Sequence, residues 1–143
     1  MKNNDNQYVI FKLEEEFYGI NINYVQTIEK MIEITRVPKT ESYIKGVINL
    51  RGEIVPVIDL RKRFNLDDKE YDKDARIIVN KIDDVLIGFI VDSASEVKDI
   101  NQEDVDYNVV DDSFNEGFIK GIGKIEDRVI ILIDVYKILN MNN

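Results

Sequence analysis

The sequence lacks two residue types on which many active sites depend: its 143 residues include no cysteine and no histidine. This excludes a cysteine nucleophile, a Ser-His-Asp triad and a histidine general base. It also excludes the usual zinc sites, whose ligands are mainly cysteine and histidine. An enzyme of this composition would have to use carboxylates, lysine, tyrosine or one of the four serines.

Positive charge is scarce, with 19 lysine and arginine residues against 28 acidic residues and a net charge of −9. Nucleic acids and anionic membranes attract basic proteins, so neither is expected as a main partner. The charge is also uneven: residues 36–63 carry a local +4, and residues 95–116 a local −7. Two interpretations remain open, namely two solvated faces or a polarised surface that orients protein partners.

Long hydrophobic runs are missing as well. The longest, VIILI at residues 129–133, is far shorter than the ~20 residues that span a bilayer. The N-terminal letters MKNNDNQ lack the apolar segment of a signal peptide. We expect a cytoplasmic protein without direct membrane contact, and the absence of cysteine is compatible with that location.

The sequence does contain an internal duplication. YIKGVINLRGEIVPVIDLRKRF at residues 43–64 aligns with FIKGIGKIEDRVIILIDVYKIL at residues 118–139. Upstream, YVIFKLEEEFYGINI at residues 8–22 aligns with IIVNKIDDVLIGFIV at residues 77–91. Since the two alignments together account for most of the chain, we predict one domain of two lobes, at about 8–68 and 76–139.

Each repeat has the same predicted plan. It begins with two short β runs across an acidic turn and later has a glycine-anchored strand pair. A short helix follows, capped by Asp59 or Asp134. About five short strands per repeat predict a mainly β fold of two small barrels, with Pro56 at an edge or a bulge. The predicted strand pairs are 8–13 with 17–22, 46–50 with 54–58, 77–82 with 85–91, and 121–125 with 128–133.

The segment at residues 20–31 is predicted to contain a short helix capped by Asn21 or Asn23. In a helix Val25 and Ile28 would share one face. The aligned segment of the second repeat is SASEVKDI, in which Val97 matches Ile28. This apolar face either packs on its own barrel or stays exposed in a cleft between lobes that receives a partner helix.

IKGVINLRGEIVPVIDLRKRF, with FYGININYVQTI upstream, resembles the CheW family of bacterial chemotaxis coupling proteins over nearly the whole chain. The resemblance implies two pseudo-repeated five-stranded SH3-like β-barrels with short helices. It also implies a non-enzymatic adaptor that couples methyl-accepting chemoreceptors to the histidine kinase CheA and helps build the signalling array. Such an adaptor would have no catalytic residues, no metal, no cofactor and no small-molecule substrate. The implied partners are the cytoplasmic tip of the receptors and the P5 regulatory domain of the kinase, at membrane-associated receptor arrays.

The resemblance also implies two sets of contact residues. A receptor-binding groove would comprise Val25, Ile28, Asn49, Arg51 and Val97. The kinase-binding surface would comprise Ile34, Val37, Gly46 and Val47. Gly46 remains open to two interpretations, a backbone conformation that only glycine tolerates or a close approach of the partner.

Arg51 and Asn49 are not repeated in the second half, where Glu126 and Lys124 replace them. The shared fold therefore requires neither, and each belongs either to a site or to a local ion pair or turn. Many relatives carry an acidic residue where this chain has Thr27. If that acid pairs with the arginine, Arg51 must find another partner here, and Glu29 would point elsewhere on a helix.

Three alternatives stay open. A CheW-like module could scaffold a different receptor or kinase assembly. A carboxylate-based hydrolase could use Asp111–Asp112 or Glu103–Asp104, although adjacent side chains diverge and these lie in a polar stretch. The letters GIGK at residues 121–124 could bind phosphate, but this is a weak motif.

Overall fold

The structure is a computed structural model that describes residues 5–108 and 117–139. It is mainly β, as predicted, and every predicted strand pair is present. The strands are β1 (Gln7–Leu13), β2 (Glu16–Asn21), β3 (Val25–Lys30), β4 (Ile44–Leu50), β5 (Glu53–Asp59), β6 (Arg76–Ile82), β7 (Val85–Val91), β8 (Ser93–Asp99), β9 (Val105–Asp106), β10 (Ile119–Ile125) and β11 (Arg128–Ile133). The α-helices are the single turns α1 (Leu60–Arg63) and α2 (Val135–Ile138).

The strands form two sheets of equivalent order. One is a five-stranded sheet ordered β3-β6-β7-β5-β4, and the other is ordered β8-β1-β2-β11-β10, with the two-residue β9 as a sixth strand. In each sheet the first hairpin of one repeat pairs with the second hairpin of the other repeat. The joining pairs are parallel, with Ile58 beside Phe89 in one sheet and Ile131 beside Tyr18 in the other.

The compact units consequently differ from the predicted lobes at 8–68 and 76–139. The continuous unit comprises Tyr24–Ala94, and the discontinuous unit comprises Met1–Asn23 and Ser95–Asn143. The duplication explains the difference, because equivalent hairpins fit either sheet. Sequence alignment shows which strands are alike but does not show which copy pairs with which.

Each of the four hairpins closes through a two-residue turn whose first residue lies in the left-handed backbone region. The first turn residue has a φ of +54° at Glu14, +52° at Arg51, +50° at Asp83 and +54° at Glu126. Where both turn residues have positive φ, the turn is of the I′ type, whose twist matches that of paired strands. Acidic side chains occupy three of these four positions, and Arg51 is the exception.

Each unit has its own apolar core, formed by alternate residues of its strands. In the continuous unit the core consists of Ile48, Leu50, Val55, Val57, Ile77, Val79 and Ile90. In the discontinuous unit it consists of Tyr8, Ile10, Ile100, Val105, Ile130 and Leu132.

The segment after β5 is held by a buried polar network. As predicted, Asp59 caps α1, and its carboxylate accepts backbone N–H groups of Arg61 and Lys62. The Arg61 side chain is buried and donates to Asp92 through Nε at 2.8 Å and through Nη2. Its Nη1 donates to the Asp67 carbonyl at 2.9 Å. Charge pairing and hydrogen bonding therefore compensate the desolvation of Arg61.

The Tyr71 phenol donates a hydrogen bond to the Asp59 carboxylate in the same region. Burial and this hydrogen bond raise the pKa of Tyr71 far above its usual value, so its phenol remains a donor.

Of the short helix predicted within residues 20–31, only a single 3-10 turn at Ile22–Tyr24 is present, and the Oδ1 atom of the preceding Asn21 accepts the Asn23 N–H at 3.0 Å. From Val25 onward the helical prediction is wrong, because the chain enters β3. Val25, Thr27 and Ile28 are β-branched, which favours a strand. The second-repeat segment with Val97 is likewise a strand, β8.

Pro56 does not lie in an edge strand. β5 is flanked by β7 and β4. Its ladder with β7 starts only at Val57. Pro56 therefore precedes the part of β5 that is paired on both sides, which reduces the cost of its missing N–H group.

Candidate protein-interaction site

Arg51 occupies the tip of the β4–β5 hairpin. Leu50 pairs with Glu53, which leaves Arg51 and Gly52 as the two turn residues. The Asn49 side-chain oxygen accepts the Gly52 N–H at 3.0 Å, so Asn49 has a structural role in this turn. The Arg51 side chain is 69% exposed, and most of its guanidinium is accessible to a partner.

The nearest ionic partner of Arg51 is Glu29, with Arg51 Nη1 3.3 Å from Glu29 Oε2. The expectation that Glu29 points elsewhere is wrong, because it assumed a helix. In β3, Thr27 and Glu29 are two residues apart and lie on the same face. Glu29 thus supplies the acidic partner of Arg51 in this chain.

The discontinuous unit contains the equivalent ion pair with its charges reversed. Lys98 aligns with Glu29 and Glu126 aligns with Arg51 at the repeat offsets. Lys98 Nζ lies 3.7 Å from Glu126 Oε1. The fold therefore accommodates an ion pair at this position in either polarity, and the positive charge at the tip is a property of Arg51 alone.

Val25 and Ile28 do share a face, but they do so in a strand with a β-bulge and not in a helix as predicted. A β-bulge shifts the register between Val25 and Thr27, so Val25 lies opposite Asn80 and Ile28 opposite Ile78. Asn80 and Ile78 are two residues apart on β6 and point to the same side. Ile28 is 41% exposed and Val25 is half-buried.

The fifth predicted groove residue, Val97, lies on β8 in the discontinuous unit. It is 48% exposed. The other four, Val25, Ile28, Asn49 and Arg51, all belong to the continuous unit.

The four predicted kinase contacts lie in two neighbouring segments. Thr35 and Val47 exchange backbone hydrogen bonds of 2.9 Å each, which holds residues 34–37 beside β4. Val37 is exposed and Val47 is half-buried, whereas Ile34 packs against the core.

Gly46 is buried and is required by the protein's own backbone. A Cβ atom there would lie 2.2 Å from the Thr35 carbonyl oxygen, and φ is +152°. The close approach is therefore internal to the unit. At the equivalent Gly121 the obstacle is a side chain, since a Cβ would lie 2.9 Å from Val105 Cγ1.

Replacing Gly46 by alanine is expected to lower the free energy of unfolding by about 2 kcal/mol, because the methyl group displaces the Thr35 strand segment. Urea denaturation measures the loss. Gly52→Ala is the matched control, since φ is +89° but nothing lies within 4 Å of a Cβ. It should cost only about 1 kcal/mol. Equal losses would contradict the steric explanation.

The alternative catalytic candidates do not form a site among the described residues. Glu103–Asp104 lies in an exposed 3-10 turn, and Asp111–Asp112 falls outside the described ranges. GIGK lies within β10, where Ile122 pairs with Ile131, so its backbone N–H groups do not form a phosphate-binding loop. Residues 5–108 and 117–139 contain no group of three acidic side chains placed to hold a metal.

No helix in the described part of the chain is long and apolar enough to cross a membrane.

The two units differ strongly in their net charge. The continuous unit carries twelve basic and thirteen acidic residues, whereas the discontinuous unit carries seven and fifteen. Almost the whole net charge therefore lies in the discontinuous unit.

Two small sheets with a cationic hairpin tip and exposed apolar strand residues define a protein-interaction module. The CheW-like domain model matches residues 7–143. The sequence is 38% identical to the chemotaxis protein CheW of Bacillus subtilis strain 168 over 139 residues, which cover 92% of this chain and 85% of the relative. It is 36% identical to the chemotaxis protein CheW of Klebsiella aerogenes over 138 residues, which cover 94% and 81%.

A solved structure agrees with these matches. The scaffolding protein TtCheW from Thermoanaerobacter tengcongensis aligns with a TM-score of 0.88 at 38% identity, covering 96% of this chain and 94% of that one. The chain belongs to the CheW family. It is accordingly a chemotaxis coupling scaffold that acts by binding other proteins, not an enzyme.

Two features of the surface were not predicted from the sequence. The first is Glu29, which a strand assignment of residues 25–30 would have placed on the Thr27 face. The second is the exposure of Ile54, at 64%, and of Val85, at 48%. Alternation around Val55 and Val57 could have indicated that Ile54 points outwards.

Proposed function

We propose that this protein couples methyl-accepting chemoreceptors to the histidine kinase CheA in the cytoplasmic signalling array. The observation that carries the proposal is Arg51: its guanidinium is exposed at a hairpin tip where the equivalent residue is Glu126. A planar guanidinium suits carboxylates and carbonyl groups on a partner.

The receptor tip is proposed to bind the continuous unit beside β3. Val25 and Ile28 supply an apolar face, and Arg51 supplies the charged margin. A helix packs through apolar residues flanked by polar ones, which fits this arrangement. Val97, exposed on β8, is proposed as a further contact.

The P5 domain of CheA is proposed to bind the surface that includes Val37 and Val47. Ile34 and Gly46 support this surface from within, since Ile34 packs on the core and Gly46 admits the Thr35 segment. Substitutions at Gly46 would therefore act on kinase binding through the shape of the surface.

Separate binding measurements with a receptor-tip fragment and a P5 fragment test the two assignments. Isothermal titration calorimetry should detect both complexes, and both partners should bind the same molecule simultaneously. Absence of P5 binding, together with binding of another kinase's regulatory domain, would assign the protein to a different assembly.

Ile28→Lys is expected to weaken receptor-tip binding by about tenfold or more, because a lysine ammonium replaces an apolar contact at the interface. P5 binding should be unchanged. Val129→Lys, at another exposed strand position (55% exposed), is the control. Unchanged receptor affinity in Ile28→Lys would remove β3 from the receptor site.

A further inference from the structure

Asn80 is a fully buried polar residue in the middle of β6. Its side-chain Nδ2 donates to the Ile78 carbonyl at 3.0 Å and to the Ile87 carbonyl at 3.3 Å. Only the NH₂ group of an amide can donate to two carbonyls, so these bonds fix the orientation of the side chain. The other side-chain atom, Oδ1, is buried and has no hydrogen-bond partner. A buried acceptor without a partner lowers the stability of a fold.

The fold does not require an asparagine at this position. Phe11 is the residue aligned with Asn80 in the other repeat, and it occupies the equivalent strand, β1, of the other sheet. Phe11 is buried and stacks on Tyr18, with ring centroids 5.5 Å apart. An apolar side chain therefore satisfies the equivalent position, and the unpaired oxygen of Asn80 calls for an explanation other than folding.

Asn80 lies on the face of the sheet that carries two of the proposed receptor contacts. It is the cross-strand partner of Val25. Ile78, two residues away on the same face of β6, is the cross-strand partner of Ile28. The receptor-binding residues of β3 thus share their face with a buried acceptor that the protein itself leaves unpaired.

We propose that Asn80 Oδ1 accepts a hydrogen bond from the receptor tip when the tip binds beside β3. The inference rests on the proposed receptor-binding function of this surface and adds the chemistry of the partner. Among the apolar residues that meet Val25 and Ile28, the receptor helix carries one side chain with an amide or hydroxyl donor. A neutral donor fits better than a lysine ammonium, because Asn80 carries no charge to offset the desolvation of a cation.

The position of β3 allows a partner to reach this oxygen. Val25 is half-buried across from Asn80, so its side chain must move before Oδ1 becomes accessible. β3 is an edge strand, with β6 as its neighbour on one side only of the described sheet. The β-bulge after Val25 interrupts the pairing at the same point. An edge strand with an interrupted ladder is displaced more readily than a strand paired on both sides.

Asn80→Leu tests the inference in the full chain. The leucine removes the unpaired oxygen from an apolar environment, so the urea denaturation midpoint should stay at or above that of the wild type. Receptor-tip affinity, measured by calorimetry, should fall by about tenfold or more, whereas P5 affinity should stay unchanged. A lower midpoint or an unchanged receptor affinity would overturn the inference and leave Asn80 with a structural role.

Asn80→Asp separates hydrogen bonding from packing. Aspartate has nearly the shape of asparagine and keeps an acceptor oxygen. It loses the NH₂ donor and places an ionisable group in a buried position, so the midpoint should fall. Receptor affinity should nevertheless stay above that of Asn80→Leu. If affinity instead follows stability, with Asn80→Asp the weaker binder, the side chain acts through packing and the inference fails.

Thr27→Val is the matched control. Thr27 Oγ1 is the other buried side-chain polar atom without a partner in residues 5–108 and 117–139. Thr27 lies opposite Val79, however, and thus on the other face of the sheet from Asn80. Valine has the shape of threonine without the hydroxyl, so the midpoint should rise and receptor affinity should change less than about threefold. A loss of affinity as large as in Asn80→Leu would overturn the assignment to Asn80.

The same titrations distinguish this inference from the coupling function on which it rests. A wild type that does not bind the receptor tip would overturn both. A wild type that binds, together with an Asn80→Leu variant that binds equally well, would overturn the inference alone.

Discussion

An Arg51→Glu variant is expected to fold with at most about 1–2 kcal/mol less stability than the wild type. It should bind the receptor tip at least about tenfold more weakly. The substitution replaces the guanidinium with a carboxylate beside Glu29. The backbone should tolerate it, because Glu126 adopts nearly the same φ, +54° against +52°, at the equivalent turn position. An exposed ion pair contributes about 0–1 kcal/mol, and a like-charge contact with Glu29 costs a similar amount, which sets the small expected loss in the free energy of unfolding.

A charge-swapped variant separates the ion pair from the positive charge. Arg51→Glu combined with Glu29→Lys recreates the polarity that Glu126 and Lys98 have in the discontinuous unit. The pair is retained, but the tip is now negative. If Arg51 contacts the receptor, this variant should be as stable as the wild type and as weak in binding as Arg51→Glu.

Receptor-tip titrations and urea denaturation measure the two quantities side by side. Recovery of receptor affinity in the charge-swapped variant would show that receptor binding needs the ion pair but does not depend on the sign of the charge at the hairpin tip. Glu126→Arg is a further control, since it changes the equivalent tip of the other unit and should leave receptor binding unchanged.

Replacing the buried Arg61 by methionine is expected to cost about 3–5 kcal/mol of unfolding free energy, the largest stability change considered for this chain. Arg61 is 1% exposed and holds Asp92 and the Asp67 carbonyl. Removing it takes the guanidinium away from the largely buried Asp92 carboxylate, and loss of a cationic neighbour in that environment is costly.

The double variant Arg61→Met with Asp92→Leu should regain part of the loss, because both charges are then removed together. Lys62→Ala serves as the control. Its ammonium lies 3.1 Å from the Asp68 carboxylate, whose side chain is 76% exposed, so the change should stay below about 1 kcal/mol. Denaturation midpoints give all three values. A loss in Arg61→Met no greater than in Lys62→Ala would mean that water replaces the arginine.

The elements that were predicted correctly depend on neighbours in the sequence. The hairpins arise from alternating residues around two-residue turns, and Asp59 and Asp134 cap the helices that follow them. The segment from Val25 was wrongly predicted to be helical because apolar residues three apart fit a helix and also fit a strand with one bulge. A single sequence does not distinguish these, since the bulge at Val25 is stabilised by pairing with a strand more than fifty residues away.

The residues of the candidate site likewise divide into those that sequence comparison indicates and those that only long-range packing brings together. Arg51 was singled out because the second repeat carries Glu126 there, which is a comparison within the sequence. Its pairing with Glu29 and the burial of Arg61 against Asp92 were not foreseeable, because each joins residues that only strand packing brings together.

By itself the amino-acid sequence determined the duplicated β-hairpins, the helix caps, the lack of cysteine and histidine chemistry, and the resemblance to a coupling-protein family. These are properties of residue type and of spacing over a few positions. The tertiary structure alone decided which hairpin joins which sheet, how the ion pairs form, and which apolar side chains stay exposed. Equivalent repeats satisfy the same local rules in either pairing, so only the long-range packing of the whole chain selects one.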